Sequence, residues 1–169
     1  MGTYGYISII AMLCYGFMLL MFLTAKRNKI INSFLVVLTG LLFWTGGSAF
    51  MRAQLWPGCE FWYQVSLLGI LLLPYAYYRF ILAFGGVRNG SAGRIYLVTM
   101  LICFWVNAQF GVFLESPKMI EKRGVQTFVY EINPSIIVFF IPAGLFLIHL
   151  FVILVRICKE NPTMKVQYE

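Results

Sequence analysis

His149 is the only histidine in a chain of 169 residues, and it lies in the apolar run "FFIPAGLFLIHLF". A histidine in such a place can carry a proton, ligate a metal or hydrogen-bond within a helix bundle. Metal ligation does not fit, because no Asp, Glu, Cys or second His stands at ligand spacing. Arg79 is the second ionisable group of this kind, in "LLLPYAYYRFILAFGG". Tyr75, one helical turn before it, can offer a ring or a hydroxyl to the guanidinium. Asn107 and Gln109 sit in "CFWVNAQFG". Amides in lipid need partners, so they either hydrogen-bond across helices or face a pocket open to the outside, with Trp105 beside them. Being two residues apart, they point to different faces.

Other chemistry is missing. The chain has no HExxH, GxSxG or P-loop, and no cluster of Asp, His or Cys. No cofactor or metal is expected, and no catalysis by these residues. The cysteines Cys14, Cys59, Cys103 and Cys158 are far apart and form no CxxC. They make neither a zinc site nor a disulfide framework. Cys158, near the inner boundary, is an unmodified thiol or a palmitoylation site. No apolar run holds Asp or Glu well inside it, which weighs against ion-coupled transport.

These residues are positioned by elements of membrane length. The chain is 61% hydrophobic and 11% charged. Soluble domains run at about 45–50% apolar and about 25% charged. The excess falls in five runs, near 4–24, 33–51, 61–84, 95–114 and 135–155. In lipid each must satisfy its own backbone, so each is expected to be a helix. The fold class is all-α, a polytopic bundle of five transmembrane helices. The first run has no Lys or Arg before it, and Lys26, Arg27 and Lys29 follow it. It therefore reads as an uncleaved anchor with its N-terminus outside. The topology then places Lys26, Arg27, Lys29, Arg88, Arg94, Arg156, Lys159 and Lys165 in the cytoplasm. Only Arg52, Lys118, Lys122 and Arg123 fall outside, which supports a cytoplasmic C-terminus. The net charge of +7 follows from this bias. The basic residues are scattered, so nucleic acid is not an expected partner.

Gly40, Trp44, Gly47 and Ser48 share one face of the second run, through "GLLFWTGGSAF". Small residues there permit close helix packing, or floor a ligand groove. Pro74 and Pro142 lie inside the third and fifth runs and are candidate hinges. Arg79 lies about five residues from the inner end, roughly 8 Å deep, and His149 at a similar depth. Arg79 either snorkels as an anchor or faces the fifth helix near His149. The outer loop "ESPKMIEKRGVQTFVYEINPS" carries strand or interfacial character in "VQTFVYEI". It folds over the helices as a lid or rests on headgroups. The "NGS" sequon at Asn89 is expected to be cytoplasmic and without meaning.

Several of these residues together resemble a known family. "FWTGGSAF" resembles the Trp-x-x-Gly pattern of the N-terminal seven-transmembrane sensor region of bacterial histidine kinases, also found on some diguanylate cyclases. Trp62, Gly69, Pro74, Phe80, Leu82, Phe84 and Gly85 are similar to that family's Trp…Gly…Pro…Phe-x-Leu…Gly succession. The outer loop, with Gly124 and Tyr130 before the fifth run, is also similar. The resemblance covers about residues 5–155, with five helices rather than seven. It implies a sensor-like domain over 1–155, with 156–169 as a cytoplasmic tail or a link to further helices and an output domain. It also implies signal sensing in a bacterial cell membrane. A small transport or permease subunit, or a structural subunit of a larger complex, is the alternative. Expected partners are membrane lipids, a second copy or other membrane subunits, and a small apolar or amphipathic ligand.

Overall fold

A computed structural model of the chain describes residues 3–87, 90–115, 117–122, 125–129 and 133–160. The helices are α1 Thr3–Leu23, α2 Lys29–Arg52, α3 Cys59–Phe84, α4 Ser91–Phe110 and α5 Ile137–Glu160. All five are long and apolar enough to cross a membrane. The five-helix expectation holds, with shifted limits. α2 begins earlier because Asn28 caps it, its side chain accepting the Ile31 N–H at 2.7 Å. α4 ends at Phe110 rather than 114, for a reason that lies in Asn107 and is given below.

The tightest seam joins α2 and α3. A Cβ on Gly47 would stand 2.6 Å from the Ser66 nitrogen, and one on Gly69 would stand 2.5 Å from the Trp44 nitrogen. The two backbones are therefore in direct contact. Ser66 Oγ donates to the Trp44 carbonyl at 3.0 Å across the same seam. With no hydrophobic force between helices in lipid, such close packing supplies the association. α1 lies on the other side of α2. Gly46 meets Met12, Gly16 meets Leu42, and the rings of Phe22 and Phe34 meet edge to face. The paired numbers run oppositely in both seams, so neighbouring helices are antiparallel.

The core lies between α3, α4 and α5. Tyr96 and Phe146 stack at 4.1 Å, and Tyr78 packs against both Phe146 and Gly93. α5 contributes a narrow stripe, of which Phe139, Phe146 and Ile157 are buried. The rest of α5, and the outer side of α1, expose apolar side chains such as Phe17, Leu145 and Phe151. In a bilayer these face lipid.

Between α4 and α5 lies a hairpin, β1 Lys118–Lys122 and β2 Val125–Val129. The strands are antiparallel, with Met119 opposite Phe128 and Lys122 opposite Val125. The expected strand character is realised over Val125–Val129. Tyr130, Glu131 and Ile132 lie outside the described residues, as do Arg88, Asn89, Arg123, Gly124 and the tail from 161. A 3-10 turn, Pro134–Ile136, leads into α5. The bundle thus has a hairpin end and, opposite it, a basic end carrying Lys26, Arg27, Lys29, Arg94, Arg156 and Lys159.

Candidate functional site

The hairpin end is built around Asn107. This residue is 1% exposed. Its Oδ1 accepts the backbone N–H of Phe113 at 3.0 Å and of Leu114 at 2.8 Å, and its Nδ2 donates to the Leu114 carbonyl at 3.1 Å. Gly111, in the left-handed region at φ 60°, turns the chain back and returns its N–H to the Asn107 carbonyl. So the apolar stretch after Phe110 leaves the helix. The amide makes three hydrogen bonds to the turn that follows α4, which is neither an interhelical bond nor an open pocket. Ser135 Oγ donates to the Val112 carbonyl at 2.7 Å and ties the start of α5 to this turn.

The hairpin meets the bundle at Phe128, which packs against the core that includes Met51 and Tyr63. The Arg52 guanidinium, at the end of α2, lies 5.8 Å from the centre of the Phe128 ring. The Arg52 Nε and the Gln64 Oε1 are both buried without a hydrogen-bond partner among the described residues. A buried donor and a buried acceptor left open at one end of a membrane bundle are costly. Neither stands out in the sequence. Arg52 reads there as loop charge. Gln64 is a polar residue within an apolar run, the same signal that pointed to Asn107.

The other candidates are spread out. Trp105 and Gln109 lie on the exposed face of α4, away from Asn107. The groove that the α2 glycines could have floored is filled by α3, and the Trp44 ring is 40% exposed. Pro74 leaves α3 continuous. It removes the partner of the Ile70 carbonyl. The neighbouring Leu71 carbonyl accepts the Tyr96 hydroxyl at 3.2 Å. Pro142 lies in the second turn of α5.

Arg79 and His149 are both at the basic end, at the expected depth, but they do not face each other. Arg79 lines a groove with Lys29, Asn32 and Ser33 of α2. His149 lines a separate groove with Tyr78, Ser91 and Arg156. It lies 6.4 Å from the Tyr78 ring, nearly parallel to it. The reason is helical phase. Tyr78 points into the α4–α5 side, and one residue on the direction turns by about 100°; Leu82 and Val87 stand between the two grooves and line both. No Tyr75–Arg79 hydrogen bond or cation–π pair occurs among the described residues; Tyr75 packs on the core. Among the described residues no three His, Cys, Asp or Glu side chains converge.

The family model for the N-terminal 7TM region of histidine kinase matches residues 7–168. The chain belongs to this family. It is a multi-pass membrane protein, a sensor region of the histidine-kinase type, and five membrane-length helices fall within the matched range. No protein of curated function matches it, and no solved structure does. Within this sensor region, the open polar atoms of Arg52, at the end of α2, and of Gln64, in the second turn of α3, are the candidate site groups at the hairpin end.

Proposed function

We propose that the region receives a signal at the hairpin end and passes it across a bacterial cell membrane to a histidine-kinase output. The observation that carries this reading is Arg52. It is a partly buried cation beneath Phe128, with an open Nε and no acidic partner among the described residues. A ligand with an acceptor for Arg52 and a donor for Gln64 would stabilise one position of the hairpin over another. Such differential affinity is what shifts a two-state equilibrium. A small amphipathic molecule suits the site, its apolar part lying against Met51, Tyr63 and Phe128. α3 and α5 are the natural carriers. Both run from the hairpin end to the basic end, both contain a proline, and they meet through Tyr78 and Phe146. With the N-terminus outside, the basic end lies in the cytoplasm, where an output acts. The region itself performs no turnover.

The test uses the natural reading frame that contains this region, reconstituted in nanodiscs. Autophosphorylation is compared for wild type, Arg52→Gln and Phe128→Ala. Both variants should shift output by fivefold or more in the same direction. Output indifferent to both would overturn the reading. Cyclic dinucleotide synthesis instead of autophosphorylation would assign a cyclase output.

A further inference from the structure

At the basic end, a groove of about 590 Å³ opens between the start of α2 and the end of α3. Lys29, Asn32 and Ser33 form one wall, and Arg79, Leu82, Ala83, Gly86 and Val87 form the other. Arg79 lies five residues before the end of α3, so its backbone is about 8 Å inside the helix end. Charge at that depth is expensive unless neutralised or wetted. Yet Arg79 has no hydrogen bond, ion pair or ring contact among the described residues. No acidic residue among the described ones lines the groove. The chain's acids are six glutamates; among the described residues Glu60, Glu115 and Glu121 lie towards the hairpin end and Glu160 ends α5 at the basic end.

The groups at the start of α2 add to the positive field. α2 points its N-terminus here, with Lys29 in its first turn and no acid there. That end of a helix carries partial positive charge. Arg27 donates to Asn32 Oδ1 at 3.4 Å, which leaves the Asn32 amide nitrogen as the free end of that side chain. The α3 carbonyls that might have answered Arg79 are partly taken. Gly85 N–H donates to the Ile81 carbonyl, and Val87 N–H to that of Leu82. Leu82, Ala83 and Val87 supply the apolar lining between Arg79 and the basic end.

We propose that this groove binds the phosphate headgroup of an anionic lipid, with Arg79 and Lys29 as its two cationic contacts, the depth of Arg79 below the helix end favouring a ligand held at the membrane interface. Basic pockets between membrane helices at the interface suit such headgroups. The inference does not depend on what the hairpin end senses.

The full chain is purified in detergent and offered phosphatidylglycerol or phosphatidylcholine, and bound lipid is read by native mass spectrometry. Wild type retains phosphatidylglycerol preferentially. Arg79→Gln and Lys29→Gln each lower that preference by about fivefold, the scale of one basic residue at a lipid surface. Ala83→Trp fills the groove without changing charge and abolishes it. Arg156→Gln, in the neighbouring groove, leaves it intact. If Arg79→Gln unfolds, the Lys29 and Ala83 variants carry the test. Equal retention of both lipids, or equal loss in Arg156→Gln, overturns the site. Inorganic phosphate at millimolar concentration that displaces the lipid completely would assign a soluble phosphate and overturn the lipid assignment.

Discussion

Asn107 holds Leu114 by both backbone groups, accepting its N–H at 2.8 Å and donating to its carbonyl at 3.1 Å. A single buried amide thus ends α4 and starts the crossing to the hairpin. Asn107→Ala would strand the N–H groups of Phe113 and Leu114. We expect it to lower stability by about 1–3 kcal/mol, the cost of unsatisfied buried groups. Gln109→Ala, on the exposed face, should be close to silent. Thermal unfolding in detergent distinguishes them, and equal effects would refute the capping role.

The α2–α3 seam predicts a contrast among glycines. Gly47→Ala and Gly69→Ala place a methyl within 2.6 Å of partner backbone, which cannot swing aside. Each should destabilise by about 1–3 kcal/mol, as overpacking does. Gly144→Ala meets nothing within 4 Å. It should stabilise α5 by about 0.5–1 kcal/mol through helix propensity. A destabilised Gly144→Ala would mean that an unseen surface packs there.

How much of this was legible in the sequence depends on which force decides. The helices were, because lipid leaves the backbone no other way to satisfy itself. The seam was, because Gly40 and Gly47 fall on one face. The end of α4 was not, since apolar residues continue past Phe110 and only Gly111 marks the stop. The strand at Val125 showed in its residue types, while its partner "KMIEK" is charged and did not. For Arg79 the depth was readable but the direction was misjudged. Depth depends on counting residues, and direction depends on knowing that Tyr78 and Leu82 take the core side. Arg52 and Gln64 were missed because burial at a helix end depends on what folds over it, here Phe128.

The Arg52 site predicts a trade of stability for response. Arg52→Met keeps length and apolar stem but removes the open Nε. Without ligand it should be no less stable than wild type, and up to about 1–3 kcal/mol more stable, because a buried unpartnered donor is lost. Its signalling output should no longer respond. Clear destabilisation in thermal unfolding would show that the guanidinium has a structural partner.

Topology gives a separate test. Reporter fusions after residues 29 and 90 should report cytoplasm, and a fusion near residue 122 should report outside. The reverse pattern would place the hairpin inside and end the proposal that it receives an external signal.

The placement of Arg79 and His149 in different grooves predicts that they act independently. The α2 wall of one groove and the α4 wall of the other lie on different sides of α3. In a double-mutant cycle on thermal stability, Arg79→Gln and His149→Ala should add to within about 0.5 kcal/mol. Tyr78 supplies the positive comparison, since its ring lies 6.4 Å from that of His149. Tyr78→Leu with His149→Ala should therefore couple by about 0.5 kcal/mol or more, the scale of a ring pair. Strong coupling between Arg79 and His149, with none between Tyr78 and His149, would mean that Arg79 reaches across α3. It would also remove Arg79 from the lipid groove, because one guanidinium cannot serve both sides of the helix.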